Sequence, residues 1–150
     1  MASDTLASNK KAYHNYHILD TYEAGIALLG TEVKSLRLGK GDIKEAYVRL
    51  DGEEAFLIGC HIQPYSHGNI MNHEPTRRRK LLLHKREIRR LASKVQEQGL
   101  TLIPLRFYLK NGRIKLEVGL GKGKHLHDKR DDLKKREARR EIDRAIKDRG

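Results

Sequence analysis

The sequence predicts a mainly β fold: a small closed antiparallel barrel of six strands, with peripheral helices and a charged C-terminal tail. Three observations carry this. Alternating apolar and polar runs come in pairs around turn dipeptides. Two segments between them switch to helical spacing. After Leu120 the composition changes abruptly. Closure is expected because it leaves no exposed sheet edge.

Residues 1–10 read as a flexible N-terminal arm, residues 11–120 as the body, and residues 121–150 as a basic tail. The first strand pair is expected from Tyr13 to Gly30, through HNYHILDTY and EAGIALLG, although its alternation is weak. A short helix is expected over Thr31–Leu38, closed by Gly39. A second hairpin is expected from Ala46 to Ile62, with Asp51-Gly52 in the turn and Ala46, Val48 and Leu50 alternating with Tyr47 and Arg49.

Ile88, Leu91, Ala92 and Val95 recur at i, i+3, i+4 and i+7, and Gly99 stands where the helix should end. Lys85, Arg86, Arg89, Arg90 and Lys94 occupy its other face. Asn111-Gly112 then separates two apolar runs, the mark of a two-residue type I′ hairpin. Counting outward pairs Leu109 with Ile114, Phe107 with Leu116, Leu105 with Val118 and Ile103 with Leu120. The opposite face pairs Lys110 with Arg113, Tyr108 with Lys115 and Arg106 with Glu117. One face is apolar and the other polar, as a half-buried antiparallel pair requires.

From Asp128 to Arg149, 17 of 22 residues are charged, ten basic and seven acidic. Asp131 with Lys135, Asp132 with Arg136 and Asp143 with Lys147 have helical spacing, each pair contributing about 0.2–0.5 kcal/mol. Leu133, Ala138, Ile142, Ala145 and Ile146 form no continuous stripe. The tail is therefore expected to be disordered alone and helical when a partner supplies a surface. Gly121 and Gly123 read as its hinge.

The 150 residues carry 32 Lys and Arg against 20 Asp and Glu, a net charge of +12. Such a charge favours an anionic partner by steering encounter and releasing counterions. A membrane surface ranks below nucleic acid, because the chain has no tryptophan to seat in one. Cys60 is the only cysteine. It permits no internal disulfide and no cysteine zinc cluster, and it reads as a small core residue in AFLIGCHI. The opening residues lack the apolar stretch of a signal peptide, and no run approaches membrane-spanning length. A cytoplasmic protein is expected.

The segment Glu74–Arg90 holds eight basic residues, Arg77, Arg78, Arg79, Lys80, Lys85, Arg86, Arg89 and Arg90, and reads as a phosphate-contacting patch. Gly119–His125 has the look of a phosphate loop but lacks the required glycine spacing and GK[ST] ending. His14 and His17 fall on opposite faces of a strand, and His125 and His127 have no third ligand, so no metal, cofactor or catalytic cluster is expected. Histidine and tyrosine stacking on unpaired bases is the more economical role.

Four strings now align in order: NKKAYHNYHI (Asn9–Ile18), YEAGIALLGTEVKSLR (Tyr22–Arg37), RRKLLLHKREI (Arg78–Ile88) and GKGKHLHDKR followed by the charged tail. The chain thereby resembles the small protein B family, the SsrA-binding proteins of bacterial trans-translation. The resemblance implies an OB-type barrel that binds the tRNA-like domain of transfer-messenger RNA at its D-arm region and escorts it to stalled ribosomes. It implies no catalysis, no cofactor, no DNA or membrane partner, and a monomer when free. The tail would enter the empty messenger channel near the decoding centre of the small subunit and fold there.

Asn9, Glu23 and Leu82 match family positions that affect binding of this RNA. Glu23 can accept from base amino groups, and Asn9 can donate and accept at a base edge. Leu82 either stacks on an unpaired base or packs in the core. Lys10, Lys11, Arg79, Lys80 and Lys124 are expected phosphate contacts. His127, Asp128, Lys129 and Arg130 match the family's tail motif, with Lys134, Lys135 and Arg136 beyond it, and imply ribosome contacts. Leu126, between two histidines, departs from the pattern and leaves the geometry of His127 open. A ribosomal structural protein with the same body and extension is the alternative, and an RNA-processing enzyme is a more distant one.

Overall fold

The computed structural model describes residues 4–67 and 72–124. Among these residues, nine strands and three helices follow in the order β1 (Thr5–Ser8), α1 (Ala12–Asn15), β2 (Tyr16–Ile26), α2 (Gly30–Arg37), β3 (Gly41–Asp42), β4 (Tyr47–Asp51), β5 (Glu54–Ile58), β6 (His61–Ile62), β7 (Arg79–Leu82), α3 (Lys85–Gln98), β8 (Thr101–Lys110) and β9 (Arg113–Gly123). Seven strands form one antiparallel sheet in the order β1-β8-β9-β2-β7-β5-β4, and β3 pairs with β6 separately.

The mainly β expectation holds, but the closed six-stranded barrel does not: among the described residues β1 and β4 form no ladder that would close the sheet. β4 curls round to lie beside β8. The β8 edge it approaches is already taken. β1 pairs along Arg106–Tyr108, the Asn9 backbone N–H donates to Leu105 O at 2.8 Å, and Pro104 has no N–H to offer a ladder. Thr5–Ser8, expected in a flexible arm, is thus the strand that covers this edge.

The β8–β9 hairpin turns through Asn111 (φ 52°) and Gly112 (φ 75°), the two positive values a type I′ turn needs. Its register runs as counted from Lys110↔Arg113 to Arg106↔Glu117 and then slips: Pro104 faces Val118 and Ile103 faces Gly119. Leu105 is the extra residue of a β-bulge. The slip sends Ile103 and Leu105 to a second apolar cluster with Ala12, while Leu102 and Phe107 enter the main core with Leu57, Leu81 and Leu116. Gly119 and Gly121 are the slots for that second cluster. A Cβ on either would sit 3.0 Å from Leu105 or Ile103. Gly121 and Gly123 are therefore strand residues opposite Ile18 and Tyr16, not a hinge, and the body runs to Lys124, whose N–H donates to Asn15 O.

The expected Tyr13–Gly30 hairpin is one long strand, β2, paired with β9 on one side and β7 on the other. Its weak alternation comes from a bulge between Ile18 and Asp20, where Leu19 is exposed. The second hairpin has Gly52 and Glu53 as its loop, one residue later than expected, because Asp51 pairs with Glu54. Gly59 (φ 78°) ends β5 early and splits off β6. α2 and α3 lie where helical spacing put them. Ile88 and Leu91 are buried, and Gly99 closes α3 in the left-handed region. Cys60 is buried, and burial pushes its thiol up to about 12. No helix among the described residues is long and apolar enough to cross a membrane.

Candidate nucleic-acid interface

Strand alternation builds a groove on the body. Along β7, Arg79 and Leu81 point inward, whereas Lys80 and Leu82 point out. Gly25 of β2 faces Leu82, and a side chain there would crowd it, since a Cβ would lie 3.1 Å from the Leu82 Cβ. Two residues back on the same face stands Glu23. Lys115 of β9 pairs opposite Gly25, and α3 begins directly after β7, bringing Lys85 to the rim. The resulting groove has a volume of about 900 Å³ and is lined by Glu23, Lys80, Leu82, Lys85 and Lys115 among others.

Glu23 is held rather than free to sweep. Tyr108 Oη donates to its Oε1 at 2.8 Å and Lys110 Nζ to its Oε2 at 3.0 Å. The Lys110 bond, with that of Tyr108, holds the carboxyl below its ordinary value, so it is a charged acceptor at neutral pH. Burial and the adjoining carboxylate raise the Tyr108 phenol, which stays a donor. The Arg106 guanidinium lies 4.3 Å from the Tyr108 ring centre. Tyr108, Lys110 and Lys115 were not singled out from the sequence. Their place on the polar face of the hairpin was the signal that could have found them.

Leu82 is 54% exposed, which removes core packing as its role. Asn9, Lys11 and Lys124 gather elsewhere, around α1. Asn9 and Lys11 line a smaller hollow of about 280 Å³, and Lys124 Nζ donates to Tyr13 O at 2.9 Å. Asn9 is buried, and its Nδ2 donates to Pro104 O at 3.1 Å, so its amide anchors β8. Lys10 is exposed beside it.

Arg79 is a correction. It is wholly buried, with Nε on Glu32 Oε2 at 2.5 Å, Nη1 on Cys60 O and Nη2 on Pro75 O. It has no surface to offer a phosphate. The basic run is likewise not one patch. Arg77 joins Arg79 on Glu32 at 2.6 Å, Arg78 lies over the Phe56 ring at 4.0 Å, Lys80 pairs with Glu54, and Lys85 and Arg89 pair with Glu53. His127, Asp128, Lys129, Arg130, Lys134, Lys135 and Arg136 lie outside the described residues.

The SmpB protein family model matches residues 6–148. An SsrA-binding protein of Carboxydothermus hydrogenoformans is 55% identical over 142 residues, 95% of each chain. One of Pelotomaculum thermopropionicum is 54% identical over 149 residues, 99% of this chain and 97% of its own. A solved chain described as "tmRNA-SmpB: a journey to the center of the bacterial ribosome" superposes with a TM-score of 0.66 at 51% identity, covering 79% of this chain and 84% of that one. With a buried scaffold, an exposed groove around Glu23 and a match along nearly its whole length, this chain belongs to the SmpB family of SsrA-binding proteins.

Proposed function

We propose that this protein is a non-catalytic RNA-binding adaptor. It binds the tRNA-like domain of transfer-messenger RNA and delivers it, in the cytoplasm, to ribosomes stalled in translation. The single observation that carries the reading is the near-full-length match to proteins named for SsrA binding, with Glu23 and Leu82 brought to one groove. Glu23 presents a fixed acceptor to base amino groups, exposed Leu82 offers an apolar seat for an unpaired base, and Lys80 and Lys115 meet phosphates. Lys10, Lys11 and Lys124 form a second set of phosphate contacts around α1. Residues 125–150 act afterwards, in the empty messenger channel near the decoding centre, where they become helical.

The test is a titration at two salt concentrations, comparing the tRNA-like domain with an ordinary tRNA of similar length. A preference for the former that survives added salt is expected. Equal binding that collapses with salt would overturn the reading and favour a ribosomal structural protein. Removing residues 125–150 should leave this affinity within about twofold while abolishing ribosome rescue. The cut belongs after Lys124, since cutting at Gly121 would remove paired residues of β9.

A further inference from the structure

The groove around Glu23 is not a positive trough, although the chain carries +12. Three lysines line it, Lys80, Lys85 and Lys115. Four carboxylates line it with them: Glu23, Glu53, Glu54 and Glu87. Glu53 and Glu54 stand at the tip of the β4–β5 hairpin and reach across to the cations of α3 and β7. Glu53 Oε1 meets Arg89 Nη2 at 2.6 Å and Glu53 Oε2 meets Lys85 Nζ at 3.5 Å. Glu54 Oε2 meets Lys80 Nζ at 3.2 Å.

These pairs are open to water. The Arg89 side chain is 67% exposed and that of Glu53 46%. Exposed pairs of this kind add little to stability, so fold maintenance does not account for them. They do decide what an approaching polyanion meets. A phosphate approaching Lys80, Lys85 or Arg89 competes with a carboxylate already on that cation, and it feels two negative charges well within a Debye length. A weakly fitting RNA lacks the other contacts needed to offset that exchange. An RNA seated on Glu23 and Leu82 draws on Lys80 alone of the three cations, and so bears a smaller part of that exchange.

We infer that Glu53 and Glu54 are specificity-determining residues, a charge gate that withholds the cations of α3 and β7 from noncognate RNA. The inference rests on the functional reading above, because it takes the groove to face RNA. It works by penalising wrong partners rather than by strengthening the right one.

The experiment uses the full chain and the double variant Glu53→Gln, Glu54→Gln, which keeps side-chain shape and removes both charges. Binding of the tRNA-like domain and of ordinary tRNA is measured across a salt series. The variant should bind ordinary tRNA about five- to tenfold more tightly at low salt, with a log–log salt slope steeper by about 2–3, as three cations become available to phosphates. Affinity for the tRNA-like domain should change less than about twofold, so the ratio of the two affinities falls. Asp51→Asn is the control. It removes one charge from the same hairpin at a residue that forms no ion pair among the described residues, and should do far less. The gate is overturned if the double variant keeps the unmodified ratio, or if Asp51→Asn has an equal effect per charge. Absence of any preference in the unmodified chain would overturn the functional reading instead, a separate outcome in the same data.

Discussion

Two arginines ten residues apart each hold a glutamate, and they do opposite things. Arg79 meets Glu32 at 2.5 Å with both side chains fully buried, and Arg89 meets Glu53 at 2.6 Å with both open to water. The first pair joins α2 to β7 and to the chain before it, through Cys60 O and Pro75 O. Close by, buried His73 bridges Thr31 Oγ1 and Ile62 O, each at 2.8 Å. Arg79 and Glu32 find their partners inside the protein, away from water and any ligand. The second pair is exchangeable. The difference teaches that charge identity says little about role until burial is known: what the low-dielectric interior makes indispensable, the surface leaves available to RNA.

The sharpest way to break the comparison is to remove one arginine from each region. Arg79→Met takes one of two arginines from a buried carboxylate and the guanidinium donors from Cys60 O and Pro75 O, and should cost about 3–5 kcal/mol, read from urea unfolding, while Arg89→Met should leave the urea midpoint unchanged. Equal effects would erase the distinction. Within the junction, His73→Ala leaves the Ile62 carbonyl and the Thr31 hydroxyl without a partner and should cost about 1–3 kcal/mol. Normal thermal stability of that variant would exclude the bridge as a structural element.

Acid offers a smaller, graded test. Burial alone would raise the Glu32 carboxyl, but hydrogen bonds from Arg77, the Leu29 backbone and Arg79 outweigh it and hold the group below its ordinary 4.5. A depressed folded value means the stabilisation is present above 4.5 and is lost as pH falls through the lower folded value. The stability gap between the unmodified chain and Glu32→Gln should therefore narrow as pH drops below 4.5. A gap constant across that range would assign the acid sensitivity elsewhere. On the exposed side, Glu23→Ala should weaken binding of the tRNA-like domain on the order of tenfold with an unchanged circular dichroism spectrum. Unaltered affinity would remove Glu23 from the interface.

The same contrast explains what the sequence made legible. The β8–β9 hairpin could be read outward from Asn111-Gly112 because turn chemistry and alternation agree there, as far as Glu117. The bulge at Leu105 could not, because both of its faces are apolar and no polar residue marks the slip. α3 was legible from its spacing. Arg79 was misread because a run of four basic residues was taken as surface. The correction was within reach: in RKLLL, strand alternation puts Arg79 on the side of Leu81 and Lys80 on the side of Leu82. Its need for a buried acid could not be seen, since Glu32 is 47 residues away in the chain. The groove was legible only as separate residues, because β2, β7 and β9 become neighbours through long-range pairing.

That pairing also sets an order of events during synthesis. β1 is made before every other described strand, yet its partner is β8, with Thr5 facing Tyr108 about a hundred residues later. Until β8 has emerged, β1 and the Asn9 amide have nothing to bond to. The β8–β9 hairpin, by contrast, closes over a two-residue loop and can form as soon as it is free. β2 can pair with β9, and β1 with β8, only once those strands exist. The strand that covers the sheet's edge is made early but must wait for nearly all of the described body to follow.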